Sequence, residues 1–314
     1  MKMLVTGAAG MIGYHSALRF KKLGWDVVGI DNFNDYYDVD LKLERARLLD
    51  EAGVIVHKVD VQEPEKYAEL LDSDTVVLHL AAYANPRHAL VDPKPYIDTN
   101  ITGTWRLIQE CEKKGCNVVY ASSSCVMHGQ PLPWNEVDRP SHQNNPYGWS
   151  KRANECQFMH SEIKRSAGLR FFTVYGPYGR PDMALFLFTN QIVKGEEVTL
   201  YNYGDMKRDF TYVDDIVDGI VLVVDKVVSD TDSYHEIYNI GYGDQVDLLD
   251  FLDHIETNLG RKAKRKLAPK HRADVPATWS DTTKLQKLGY KPTTPINVGV
   301  KKFVDWYKEY YNVV

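Results

Sequence analysis

Short runs of consecutive apolar residues alternate along the first half of the chain with segments whose apolar positions recur at helical spacing. The runs predict strands at Met3–Thr6, Val27–Ile30, Val54–Lys58, Val76–His79, Val118–Ala121 and Leu169–Thr173. Helical stretches are predicted between them, near 11–23, 40–51, 64–71, 93–114 and 147–166. Strands that alternate with helices imply βαβ units with right-handed crossovers, so the expected fold is α/β with a doubly wound parallel sheet. Beyond about residue 175 the pattern loosens around "YGPYGRP". The segment "RDFTYVDDIVDGIVLVV" reads as a strand leading into a helix. The expected organisation is a nucleotide-binding domain over 1–175, a smaller C-terminal lobe over 176–314, and segments near 210–240 packing back on the first domain.

Composition narrows the class. At 314 residues, 44% hydrophobic and 26% charged, the chain is ordinary for a globular protein and long enough to bury a full core. A net charge of −5 gives no case for nucleic acid, and the basic run "RKAKRK" at 261–266 reads as a solvated strand or helix face. The longest apolar runs are far short of a membrane span, and "MKMLVTG" enters a strand pattern at once, so no membrane or targeting segment is expected. Cysteines at 111, 116, 125 and 156 have neither metal-ligand nor disulfide spacing, which fits a reducing cytoplasm and no metal.

Candidate chemistry begins at "MLVTGAAGMIG". Gly7, Gly10 and Gly13 follow the first strand and open a helix, a pattern that brings backbone N–H groups close to a pyrophosphate at a helix N-terminus. Asp31, at the end of the second strand, stands where a carboxylate accepts hydrogen bonds from an adenosine ribose. That carboxylate would repel a 2′-phosphate and no arginine follows at once, so NAD is expected rather than NADP. Asp60 and Val61 are expected to border the adenine.

The stretch "NNPYGWSKRANE" puts Tyr147 and Lys151 one helical turn apart. A tyrosine of ordinary pKa, about 10, is a poor base at neutral pH, and a nearby ammonium together with a positively charged nicotinamide is expected to lower it. Tyr203 and Lys207 repeat the spacing, but "YGDMKRD" reads as a turn and supplies no partner hydroxyl. For Tyr147 the partner is expected in "YASSSCVM", whose serines fall at the carboxyl end of the fifth strand, where ligands of such sheets bind.

Taken together, the glycine motif, "DNFNDYYDVDLK", "HLAA", "YASSS", "YGWSK" and "RFFTVYGPYGRPDM" resemble the extended short-chain dehydrogenase/reductase superfamily over nearly the whole chain. The longer strings "TVYGPYGRPDMALFLFT", "LYNYGDMKRDFTYVDDI" and "DVPATWSDTTKL" resemble the NAD-dependent UDP-glucuronate 4-epimerases. The resemblance implies that Ser123, Tyr147 and Lys151 are catalytic, with Ser124 the near alternative to Ser123. It implies an NAD site drawn also from Met11, Ile12, Asn32, Leu80, Ala81, Ala82 and Asn100. It places Arg87, Ser124, Cys125, Thr173, Arg180, Met183, Arg208 and Asp274 against a UDP-sugar, and a homodimer formed through the helices near 93–114 and 147–166. Dehydratases and decarboxylases of this type follow the catalytic Ser or Thr with an acid; Ser124 and Cys125 stand there instead, which favours epimerisation. A UDP-glucose/galactose or other nucleotide-sugar 4-epimerase and a catalytically silent NAD-binding scaffold are the competing readings. The chain departs from the resemblance at Met127 and His128, where "VYG" becomes "VMHG".

Overall fold

A computed structural model describes all residues except Arg139, Ser141 and Val314. Seven parallel strands form its central sheet: β1 (Lys2–Thr6), β2 (Asp26–Asp31), β3 (Val56–Lys58), β4 (Thr75–His79), β5 (Asn117–Ser123), β6 (Arg165–Phe171) and, after four short strands, β11 (Tyr234–Ile240). Their spatial order is β11-β6-β5-β4-β1-β2-β3. Every residue of β4 is buried, the expected signature of a strand covered on both faces. The order reverses between β1 and β4, so the crevice outside their carboxyl ends is the default ligand site of the sheet. Register aligns those ends, with Thr6 beside His79 and Ser123 beside Phe171.

The covering helices are α1 (Met11–Lys22), α2 (Val39–Glu51), the short α3 (Pro86–Ala89), α4 (Thr104–Lys114), α5 (Pro146–Met159) and α7 (Val213–Ser229). α1 buries Met11, Tyr14, Ala17 and Phe20 at three-residue intervals, giving one apolar stripe against the sheet. α5 starts where Pro146 presets the first turn and the Asn145 side chain accepts from Gly148 N at 2.8 Å. The rest of the chain comprises β7 (Thr173–Tyr175), α6 (Ala184–Lys194), β8 (Glu197–Leu200), β9 (Lys207–Arg208), β10 (Phe210–Tyr212), β12 (Val246–Asp247), α8 (Leu248–Leu259), β13 (Lys264–Leu267), α9 (Thr283–Gln286) and α10 (Ile296–Tyr310). Its strands pair two by two: β7 with β10, β9 with β12, β8 with β13. One apolar cluster runs from Met3 and Val5 through Phe186 and Phe210 to Phe251 and Phe303, so these elements and the sheet share a core. Among the described residues no helix is long and apolar enough to cross a membrane.

Several sequence expectations shift. The sixth strand starts at Arg165 and ends at Phe171, while Thr173 belongs to β7. The small residues Ser166, Ala167 and Gly168 gave little strand signal, yet Tyr120 packs so closely over Gly168 that a Cβ there would lie 2.5 Å from its hydroxyl. α5 stops at Met159 rather than 166, because the chain must turn to enter that buried strand. Residues 64–70 form two 3₁₀ turns instead of one helix, and 96–103 are π-helical before α4. The second half of the basic run enters β13, which is exposed along its length.

Candidate active site

A cavity of about 530 Å³ opens along the carboxyl ends of the central strands and continues past Arg87, Arg180 and Arg208. One end is the turn after β1. Gly7 has φ 69°, and a Cβ there would sit 2.8 Å from Ala81 N. At Gly13 a Cβ would come 2.2 Å from Gly7 O, so the helix packs on its own turn only without a side chain. α1 begins here with no side-chain cap and no acidic residue in its first turn, leaving amide donors and the positive end of the helix dipole available to an anion. Met11, Ile12, Leu80, Ala81 and Ala82 line the same end.

Asp31 closes β2 and accepts from Ala9 N (3.1 Å) and Phe33 N (2.9 Å). Burial pushes its carboxyl up, while those two amides and the charges of Lys42 and Arg45 act in the opposite direction. Asn32 donates to Asp60 at 2.7 Å, and Asp60 also accepts from Gln62 N at 2.9 Å; Asn32, Asp60 and Val61 border the cavity. These features fit a dinucleotide: tightly approachable glycines and a bare helix terminus for a diphosphate, and a carboxylate for ribose hydroxyls.

The middle of the cavity holds the expected catalytic set. Ser123 ends β5, and its Oγ accepts from Cys125 N at 3.2 Å. Ser123 and Ser124 both line the cavity. Tyr147 lies beneath an edge-on contact with Tyr96 at 6.3 Å between centroids. Lys151, one turn along α5, is 2% exposed and donates to Ala121 O at 2.9 Å. Burial pushes the Lys151 ammonium down from 10.5 to about 7, and the same burial pushes the Tyr147 phenol up, against the pull of Ser123 and Arg180. Lys151 is not among the groups that lower Tyr147 in the chain by itself, where desolvation dominates both side chains.

The far end carries the substrate-side residues. Arg87 reaches Asp274 through Nη2 (2.7 Å) and Nε (3.3 Å) and lies 4.0 Å over the Tyr201 ring. Arg180 pairs with Asp182 at 2.6 and 3.0 Å and donates to Ala84 O at 3.1 Å. Arg208 donates to the carbonyls of Lys207 (2.8 Å) and Pro276 (3.1 Å); among the described residues it has no carboxylate at ion-pair distance. A cation held by carbonyls alone keeps its charge for a ligand. Ser124, Cys125, Thr173 and Met183 complete this wall, and burial pushes the Cys125 thiol up.

One expected cofactor residue lies elsewhere. Asn100 is fully buried behind the wall, where it pairs with both backbone groups of Tyr83 (2.9 Å each) and accepts no place on the cavity surface. Its second donor bond goes to Ser150 Oγ at 3.0 Å, tying the π-helical stretch to α5. Met127 is also buried, packed with Val126, Trp134 and Phe172, and His128 faces His142, so neither departure reaches the cavity wall. Tyr203 is 61% exposed in a turn, away from any hydroxyl partner in a site. Sequence reasoning missed Tyr36, Tyr37, Lys42, Tyr83, Asn85 and Asp182 on the wall. The tandem tyrosines of "NDYYDVDLK" were the available signal: they follow Asp31 directly.

Residues 3–241 match the NAD dependent epimerase/dehydratase family. The chain belongs to that family. It is 40% identical over 333 residues to Protein CapI of Staphylococcus aureus, covering 99% of each. UDP-glucuronate 4-epimerase 1 of Arabidopsis thaliana is 40% identical over 332 residues, covering 99% of this chain and 77% of that protein. The crystal structure of UDP-glucuronic acid 4-epimerase from Bacillus cereus, in complex with UDP-glucuronic acid and NAD, superimposes with a TM-score of 0.91 at 30% identity, covering 99% of this chain and 100% of that one.

Proposed function

We propose that this member of the family is an NAD-dependent UDP-glucuronate 4-epimerase, which interconverts UDP-glucuronate and UDP-galacturonate through a transient 4-keto sugar. The observation that carries the reading is convergence. One cavity brings together Ser123, Tyr147 and Lys151 between a diphosphate-ready glycine turn with Asp31 and a second anion-ready end with Arg208. NAD, held by the glycine turn and Asp31, supplies reversible hydride acceptance at the sugar C4.

The chain's own work is proton transfer and grip. Ser123 orients the sugar 4-hydroxyl and Tyr147 takes its proton. Lys151 stabilises the ionised phenol when it carries its own proton, which at about 7 it gains and loses near neutral pH. Arg208, with Arg87 and Asp274 beside it, anchors the nucleotide diphosphate end while the keto sugar turns and receives its hydrogen on the other face. A 4-keto uronate is a β-keto acid, which loses carbon dioxide when the carboxylate bond aligns with the ketone. Ser124, Cys125 and Thr173 hold that carboxylate out of alignment, and no acid stands beside Ser123 to promote elimination.

Incubating the purified protein with UDP-glucuronate and, separately, with UDP-glucose, with no NAD added, tests this by proton NMR. UDP-galacturonate from the first alone is the expected result. UDP-galactose from the second would move the assignment to a hexose epimerase, and no conversion of either, with NAD supplied, would leave a binding scaffold. We further propose a homodimer in the cytoplasm. The half-exposed Ile97, Trp105, Trp149 and Met159 on the 96–114 and α5 helices give it an apolar face, and a mass near twice 35.9 kDa by light scattering is expected.

A further inference from the structure

α5 carries a third residue on the stripe of Tyr147 and Lys151. Glu155 lies one turn beyond Lys151, with none of its surface exposed. Its carboxylate is fully engaged. Arg170 of β6 donates Nε to Oε1 at 2.8 Å and Nη2 to Oε2 at 3.0 Å. Ser122 of β5 donates to Oε1 at 2.7 Å, and Arg152 adds a bond to Oε2 at 2.7 Å. Arg170, itself 2% exposed, turns its remaining Nη1 to the Met127 sulfur at 2.9 Å. Burial pushes the Glu155 carboxyl up, but Arg170, Ser122 and Arg152 outweigh it and hold the group ionised.

For folding alone this arrangement is a poor choice. Desolvating two ions costs several kcal/mol each, and apolar residues of similar volume often serve a core as well or better. The partners, however, are the pieces that carry the site. Ser122 precedes Ser123, Met127 ends the turn that holds Ser124 and Cys125, Arg170 lies on the strand running toward Thr173, and Glu155 sits on the helix of Tyr147 and Lys151. Among the described residues the polar ties of α5 to β5 and β6 are those of Lys151 and Glu155. With 1.5 Å of rise per residue, Glu155 anchors the helix about 12 Å from the tyrosine, and a bidentate guanidinium fixes both rotation and translation.

We propose that Glu155 and Arg170 are positioning residues: their buried ion pair, through Ser122 and Met127, sets the distance from Tyr147 on α5 to Ser123 on β5. The kinetic part of this inference rests on the epimerase reading, whereas the structural part does not. A misplacement of about 1 Å in such a set costs on the order of 10²-fold in rate.

The test compares Glu155→Gln and Ser122→Ala with the wild type in two measurements. The first is steady-state conversion of UDP-glucuronate. We expect kcat to fall roughly 10- to 100-fold with KM held within about threefold, a split that mere loss of folded protein does not produce after correction for folded fraction. The second is hydrogen–deuterium exchange without substrate, in which amides of 147–151 and 124–127 exchange faster and those of α1 and α10 do not change. A folded variant with wild-type kcat, or one whose whole loss lies in KM, overturns the proposal. Should Glu155→Gln fail to fold, Ser122→Ala decides by the same criteria. Should the wild type not convert UDP-glucuronate, the epimerase reading falls, and exchange alone decides: unchanged rates at 147–151 overturn the ion pair's role, and faster rates support it.

Discussion

Replacing Lys151 by methionine should make the cofactor-free protein more stable at neutral pH while abolishing turnover. The ammonium is 2% exposed, and burial lowers it from its ordinary 10.5 to about 7. At about 1.4 kcal/mol per pH unit, that displacement bounds the cost of holding it in the fold at ~5 kcal/mol. Methionine keeps the straight chain and removes the charge. It also gives up the bond to Ala121 O, which returns about 1–2 kcal/mol. The net gain expected for Lys151→Met is about 3 kcal/mol.

The pH dependence provides the sharper check. A lysine depressed in the folded state binds fewer protons there than in the unfolded chain between about 7 and 10.5, so the wild type gains stability as pH rises through that window. Below 7 both states hold the proton and the penalty is complete. The advantage of Lys151→Met is therefore greatest at pH 6, shrinks by about 1.4 kcal/mol per unit above 7, and crosses zero near pH ~9, where the remaining penalty equals the lost hydrogen bond. Urea unfolding of both proteins, stripped of cofactor, at pH 6, 8 and 9.5 reads this directly. A variant less stable at pH 6, or equally favoured at pH 6 and 9.5, would refute the reasoning and place Lys151 in a wetter environment.

Three further outcomes follow from the same geometry. Tyr147→Phe removes the proton acceptor and should cut turnover by about 10²–10⁴-fold while NAD still co-purifies, as judged by absorbance of the released cofactor. Gly13→Ala puts a methyl 2.2 Å from Gly7 O and 2.9 Å from Ala8 Cα, so the turn must open; retained NAD should fall below one-tenth of the wild-type ratio. Asp274→Asn weakens the hold on Arg87 at the nucleotide end, and KM for UDP-glucuronate should rise roughly tenfold with kcat unchanged, from about 1–2 kcal/mol of lost charge-assisted bonding.

The fold, and the glycine turn, Asp31, Tyr147 and Lys151 of the cavity wall, were legible because they rest on local rules, whereas the substrate-side residues were reached only through resemblance. Apolar runs of four to six residues, helical stripes between them and a glycine triplet after the first strand are each dictated by backbone geometry within a few residues. The carboxyl-end placement of Ser123 then follows from strand direction, and that of Tyr147 and Lys151 from the spacing of a helix behind Pro146. The sixth strand was misplaced for the converse reason. Ser166, Ala167 and Gly168 carry no strand signal of their own and are small because Tyr120 lies over them, a fact about another segment of the chain.

Long-range electrostatics were equally hidden. Nothing near Asn100 in sequence says that its amide is consumed by Tyr83 and Ser150, and only the folded chain brings Arg87 to Asp274, 187 positions away. The charge states of Tyr147 and Lys151 belong to this class too. Their spacing suggested that lysine tunes tyrosine, but spacing contains no information about depth. Both side chains lie where water is excluded, so each is driven toward its neutral form, tyrosine upward and lysine downward. A pair poised in that way resists ionisation until charge arrives from outside it. That is the behaviour expected of a base that works only in a filled site, and it makes the pH profile of Lys151→Met a measurement of how deep the pair lies.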